Sequence, residues 1–127
     1  MERKYSKKHL WIEFDGDEAA IGITDFLQEK LGDIMFVNLP EPGEQVKIDE
    51  RFGDIESKKT VMDKESIVSG EVLKINEDVL DEPYLINEAP DDSWLIKVKV
   101  DEVSDSLLDE ETYTKHISQP WMQSHKE

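Results

Sequence analysis

Short apolar stretches separated by turn residues dominate the hydrophobic pattern of this 127-residue chain. The stretch from His9 to Phe14 is rich in aromatic and β-branched residues and stops at Asp15-Gly16-Asp17, a strong hairpin-turn signal. Ala19 to Thr24 is the expected returning strand. Further strand-like segments cover residues 33–39, 46–48, 52–56, 67–68, 70–75 and 94–100. Many short strands without long helices between them predict a mainly β sandwich or barrel.

Two helices are predicted among these strands. Thr24 is a good N-cap for a short helix that ends at Gly32, a residue type common at helix C-termini. Asp109 is an N-cap candidate for a second helix that carries Tyr113 and Ile117 four residues apart. The pattern therefore predicts one short internal helix and one C-terminal helix.

The chain length fits a single domain over residues 1–127, with a core from about residue 9 to residue 117 and a flexible tail at residues 118–127. The continuous apolar run from Ile34 to Val37 has strand length and predicts a buried strand. We expect the following side chains to be mostly buried: Trp11, Phe36, Val37, Val72 and Trp94.

Charge narrows the classes of partner. The formal net charge is −16, from 31 acidic and 15 basic residues. Such a surface repels nucleic acid and anionic membranes, and it favours partner proteins with basic docking faces, although solubility alone would also explain it. No apolar stretch approaches the roughly 20 residues that cross a bilayer, and the basic N-terminus does not lead into a secretory signal. We therefore expect a cytoplasmic protein.

Stand-alone catalysis has little support in the sequence. It contains no phosphate-binding glycine loop, no Gly-x-Ser-x-Gly motif and no His-x-x-x-His pair. It also contains no cysteine, which excludes disulfides, thiolate metal sites and cysteine nucleophiles. His9, His116 and His125 are scattered, and the acidic groups fit solvated turns better than a calcium loop. We predict no catalytic residue and no metal site.

One segment, residues 56–63, contains a candidate site for covalent modification. It places Lys58 and Lys59 at a break between an apolar strand and a second strand-like segment. A lysine at such a tip is open to a modifying enzyme. From the pattern alone, however, a solvated turn lysine is the commoner interpretation.

Several ordered blocks resemble the glycine-cleavage H-protein family. They are Ile21-Gly22-Ile23-Thr24-Asp25, Leu31-Gly32-Asp33-Ile34, Phe36-Val37-Asn38-Leu39-Pro40, Glu56-Ser57-Lys58-Lys59, Ser69-Gly70-Glu71-Val72, Asn87-Glu88-Ala89-Pro90 and Trp94-Leu95-Ile96-Lys97. The resemblance runs from about residue 9 to residue 100. It implies a lipoyl/biotinyl-type β-sandwich, a barrel-sandwich hybrid, in which a hairpin displays a modified lysine.

The family's Glu-Ser-x-Lys pattern falls on Glu56, Ser57 and Lys59. The resemblance therefore implies a non-catalytic carrier with lipoate amide-linked to Lys59 rather than to Lys58. Amide formation removes the lysine charge, and the dithiolane brings redox-active sulfur to a chain without cysteine. The implied partners are a lipoate ligase or lipoyl synthase system, a glycine decarboxylase, an aminomethyltransferase and a dihydrolipoamide dehydrogenase.

Two departures from the family pattern leave alternatives open. Leu10 stands where family members commonly have a glutamate that helps to hold the aminomethylated arm in a cleft, so Asp63 remains as the candidate acidic partner. Lys58 replaces a usual valine. Similar changes occur in H-like lipoate-binding proteins that serve redox enzymes of other pathways, such as sulfur oxidation with a heterodisulfide-reductase-like complex or macrodomain-linked systems. An unmodified binding module is the third class.

Overall fold

The computed structural model describes residues 2–119, and in it the chain forms two antiparallel sheets and four helices. The elements in order are β1 (Arg3–Tyr5), β2 (Leu10–Asp15), β3 (Glu18–Ile23), α1 (Asp25–Leu31), β4 (Ile34–Asn38), β5 (Gln45–Val46), β6 (Arg51–Ser57), β7 (Val61–Glu65), β8 (Val68–Ile75), α2 (Glu77–Asp81), α3 (Leu85–Glu88), β9 (Ile96–Val103) and α4 (Glu110–Ile117). The six-stranded sheet has the order β1-β2-β3-β9-β8-β5, and the three-stranded sheet has the order β4-β6-β7. The mainly β architecture with an internal and a C-terminal helix is confirmed.

Local sequence signals account for the first hairpin and for both predicted helices. Gly16 adopts a φ of +64° in the turn between β2 and β3, a conformation that glycine tolerates without strain. Thr24 Oγ1 accepts a hydrogen bond from the Leu27 backbone N–H at 3.3 Å, which caps α1. Asp109 Oδ1 accepts one from the Thr112 backbone N–H at 2.8 Å, which caps α4.

The two sheets enclose one apolar cluster. Of the side chains expected to be buried, Trp11, Val37 and Val72 are buried and Trp94 is half-buried. The prediction for Phe36 is wrong, because its side chain is 59% exposed.

The exposure of Phe36 has a geometric cause. The pairing of β4 with β6 shifts register between Ile34 and Phe36, so Ile34 and Val37 point into the core. Met35 and Phe36 lie on the open face of the three-stranded sheet, where both are exposed. The apolar run is therefore buried on one face only, and the prediction of a buried strand is corrected.

Four elements were not predicted from the sequence, namely β1, β7, α2 and α3. Strand β1 is polar, and it is held by pairing with β2 and by a bridge between Tyr5 and Leu108. Helices α2 and α3 are short and lie in an acidic stretch, where one buried residue in each, Val79 and Ile86, contacts the core. The sheet thus begins ahead of the expected core start at about residue 9.

Two further expectations from the sequence concern the C-terminal tail and the absence of membrane-spanning segments. The expected flexible tail, residues 118–127, lies outside the described residues from residue 120 onward. Within residues 2–119, no helix is long and apolar enough to cross a membrane.

Candidate functional site

The segment with two adjacent lysines forms the tip of a β-hairpin. Strand β6 ends at Ser57 and β7 begins at Val61, so residues 58–60 make the turn. Opposite residues in the two strands include Glu56 with Val61 and Ile55 with Met62. Ile55 is buried in the core, so the apolar residues of β6 anchor the hairpin while its polar tip stays outside.

Ser57 fixes the conformation of this tip. Its side chain is buried, and its Oγ accepts hydrogen bonds from the backbone N–H of Lys59 at 3.1 Å and of Thr60 at 3.2 Å. The Ser57 backbone N–H donates to the Thr60 carbonyl at 2.8 Å. A serine hydroxyl that accepts hydrogen bonds from backbone N–H groups two and three residues later stabilises a turn. The tip is therefore an ordered turn.

The Lys59 side chain is exposed and lies beside the end of α1. A Cβ placed on Gly32 would lie 3.5 Å from Lys59 Cε and 3.8 Å from its Nζ. Gly32 itself has a φ of +78°, which favours glycine at the helix end. Within residues 2–119, no hydrogen bond or ion pair engages the Lys59 Nζ. Lys59 is therefore exposed, and its amine has no partner among the described residues.

Lys58 has a different environment although it is the preceding residue. Its Nζ lies 3.2 Å from Asp33 Oδ2, and its backbone N–H donates to the Asp33 carbonyl at 3.0 Å. The two lysines of the tip are thus distinguished by their contacts.

The two acidic residues predicted to belong to the site, Glu56 and Asp63, lie on the strands next to the tip. Glu56 is half-buried in β6, next to the tip. Asp63 is exposed on β7, and its Oδ1 accepts a hydrogen bond from Arg51 Nε at 3.1 Å. Arg51 also contacts Asp54. Asp63 is therefore already paired with a guanidinium.

Leu10 does not belong to this group of hairpin residues. It lies at the start of β2, pairs with Ile23 and is fully buried in the core. The structure places Glu56, Ser57, Lys59 and Asp63 on one hairpin, and it places Leu10 in the hydrophobic interior.

A buried polar cluster that the sequence did not predict joins α4 to the first strands. His9 is buried with a φ of +73°, and its Nδ1 is hydrogen-bonded to Tyr113 Oη at 2.8 Å. Thr24 Oγ1 bonds to the same oxygen at 2.8 Å. The rings of His9 and His116 are 6.1 Å apart, so the fold brings together two histidines that are distant in sequence. The cluster anchors the C-terminal helix.

Among residues 2–119, no three side chains of the His, Cys, Asp or Glu type are grouped so as to hold a metal ion. His125 lies outside the described residues.

Burial of His9 makes the stability of the fold depend on pH. Burial, with the nearby charges of Lys64 and His116, lowers the pKa of His9 from 6.5 to about 4. Between these values the unfolded chain binds more protons than the folded chain, so the free energy of unfolding decreases as the pH falls. From pH 7.5 to pH 5 we expect His9 to contribute a loss of about 2 kcal/mol.

The His9 contribution is measured by urea unfolding of the wild type and of His9→Gln at both pH values. Glutamine retains hydrogen-bonding groups but does not titrate, so the wild type should lose more stability than the variant. Equal losses in the two proteins would contradict the assignment of this pH dependence to His9.

The chain is similar to known proteins over most of its length. A model of the glycine cleavage H-protein family matches residues 3–120. The glycine cleavage system H protein of Halalkalibacterium halodurans is 45% identical over 121 residues, which cover 93% of this chain and 94% of that protein. That of Bacillus cereus strain AH187 is 44% identical over 119 residues, which cover 91% and 94%.

A solved structure extends the similarity to three dimensions. The crystal structure of a glycine cleavage system H protein from Mycobacterium marinum matches with a TM-score of 0.88 and 35% identity, over 93% of this chain and 98% of that one. The lipoyl-type β-sandwich implied by the sequence blocks is thereby confirmed. The chain belongs to the glycine cleavage H-protein family, whose members are lipoyl carriers rather than enzymes.

Proposed function

We propose that the chain is the lipoyl carrier of a glycine cleavage system, and that its lipoate is joined by an amide to Nζ of Lys59. The observation that carries the site assignment is the presentation of Lys59. Its amine is exposed on an ordered hairpin turn, and no described residue engages it. Ser57 and the two strands fix the backbone of the turn that carries Lys59.

The hairpin suits the attachment reaction. Lys59 Nζ attacks the activated carboxyl carbon of a lipoyl donor, the bond from that carbon to its leaving group breaks, and the amine releases a proton. The product amide carries no charge. When attached, the group supplies a redox-active disulfide to a chain that has no cysteine. The chain's own residues contribute position and access, through Ser57 at the turn and Gly32 beside the lysine stem.

The proposed partners are the enzymes of lipoate attachment and of glycine cleavage. They are a lipoate ligase or lipoyl synthase system, a glycine decarboxylase, an aminomethyltransferase and a dihydrolipoamide dehydrogenase. The net charge of −16 favours docking faces that are basic, and tethering raises the local concentration of the reacting group at each docked enzyme.

The relatives named above favour glycine cleavage over the alternative pathways. They are glycine cleavage H proteins at 44–45% identity, not carriers of sulfur oxidation or of a macrodomain-linked system. The cleft roles of Leu10 and Asp63, the single domain over residues 1–127 and the cytoplasmic location stay predictions.

Reconstitution tests the proposed pathway. We expect the lipoylated chain, mixed with the three glycine-cleavage enzymes of a well-behaved system, tetrahydrofolate and NAD⁺, to support NADH formation that depends on glycine. The unlipoylated chain is the control and should support none. If the dehydrogenase reduces the lipoylated chain with NADH but glycine produces no turnover, the protein is a lipoyl carrier for another pathway.

A further inference from the structure

A single side-chain amide holds the segment on which the hairpin tip rests. We call residues Gly32, Asp33 and Ile34 the tip seat. Asn87, in α3, donates through Nδ2 to the Gly32 carbonyl at 2.8 Å, and its Oδ1 accepts from the Ile34 backbone N–H at 2.9 Å. Its Nδ2 also donates to Gln28 Oε1 at 2.9 Å, so both donors and the acceptor of the amide are engaged. Asn87 thus fixes both ends of the tip seat.

The tip seat in turn holds Lys58. The Asp33 carbonyl accepts the Lys58 backbone N–H at 3.0 Å, and the Asp33 carboxylate lies 3.2 Å from the Lys58 ammonium. Ile34 pairs with Ser57, the residue that closes the turn. The aliphatic part of the Lys59 side chain lies next to Gly32. Its amine forms no ion pair or hydrogen bond with the described residues.

We propose that Asp33 and Asn87 are positioning residues that make Lys59, and not Lys58, the lysine presented for lipoylation. The inference rests on the proposed function. Two adjacent lysines have the same chemistry, so selection between them depends on how each amine is presented. Acylation of Lys58 has to break its ion pair with Asp33 and turn its amine away from the tip seat, whereas Lys59 is free of both constraints.

The expected size of the effect follows from the exposure of these groups. The side chains of Lys58 and Asp33 are 65% and 73% exposed, so their ion pair is a weak one. Its loss in Asp33→Asn should raise the ratio of lipoyl-Lys58 to lipoyl-Lys59 by up to about fivefold. Asn87→Ala releases the whole tip seat and should raise the ratio by about tenfold.

The test is partial lipoylation of the full chain by a lipoate ligase with lipoate and ATP, followed by peptide mapping of both lysines. Asp33→Glu keeps the charge and should retain a ratio close to that of the wild type. Asn76→Ala is the matched control for Asn87→Ala. Asn76 caps α2 and donates to the Trp94 carbonyl at 2.8 Å, so its removal also costs side-chain hydrogen bonds to the backbone, but none of them involves the hairpin tip or the tip seat. Its ratio should not change.

Hydrogen exchange supplies a second readout. The Lys58 amide should exchange faster in Asn87→Ala than in the wild type or in Asn76→Ala. The proposal is overturned if the ratio of lipoyl-Lys58 to lipoyl-Lys59 is unchanged in both Asp33→Asn and Asn87→Ala, or if it rises equally in Asn76→Ala. In either case, modification of Lys59 in the wild type leaves the proposed function standing. If Asn87→Ala does not fold, the exposed Asp33→Asn change decides alone. Absence of lipoate from both lysines in the wild type contradicts the proposed function itself.

Discussion

Replacing Lys59 by arginine is expected to remove nearly all lipoylation and to leave the fold unchanged. Arginine keeps the positive charge, but its guanidinium stays protonated and does not act as the acyl acceptor. The side chain is exposed at a hairpin tip, so the change in the free energy of unfolding should stay within about 0.5 kcal/mol. Intact mass after incubation with a lipoate ligase, with circular dichroism as the check on folding, measures both expectations.

Lys58→Arg is the matched control, because it changes the neighbouring lysine in the same way and keeps a cation opposite Asp33. We expect it to gain one lipoyl group as the wild type does. Lipoylation of Lys59→Arg at the wild-type rate would show that another lysine is the attachment site.

Ile55→Ala is expected to destabilise the protein by about 2–5 kcal/mol. Ile55 is 1% exposed in β6, behind the hairpin tip, and its truncation leaves a cavity in the core. Phe36→Ala removes a larger side chain from the adjacent strand β4, yet it should cost less than about 1 kcal/mol because Phe36 is 59% exposed. Urea unfolding of the two variants measures the difference.

The comparison of these two variants tests how the three-stranded sheet faces the core. The register shift between Ile34 and Phe36 is what turns Phe36 outward. A loss for Phe36→Ala as large as that for Ile55→Ala would contradict this orientation of β4.

The elements that the sequence predicts well are those whose signals are local. The Asp15-Gly16-Asp17 turn, the Thr24 cap, the Gly32 stop and the Asp109 cap each act within a few residues, and each has the expected role in the structure. Such signals depend little on the rest of the chain, which is why they could be recognised without it.

The features that the sequence does not predict depend on distant partners. Strand β1 forms because β2 is available to pair with it, and α3 matters because Asn87 reaches residues more than 50 positions away in the chain. The exposure of Phe36 depends on a bulge and on the absence of a covering layer among the described residues. Hydrophobic periodicity contains neither kind of information.

Some features of the candidate site could be predicted from the sequence, and others appear only in the structure. The polar break around Lys59 predicts an exposed tip, and the family resemblance selects Lys59 over Lys58. The contacts that separate these lysines, through Asp33 and Gly32, appear only in the folded chain, as does the approach of His9 to His116.

Locating the lipoyl group on the wild-type chain shows which lysine is the attachment site. The full-length protein is co-expressed with a lipoate ligase in the presence of lipoate, and its intact mass and its peptides are measured by tandem mass spectrometry. We expect one lipoyl addition, on Lys59. An unmodified chain after trial of several ligases, or a lipoyl group predominantly on another lysine, would contradict this expectation.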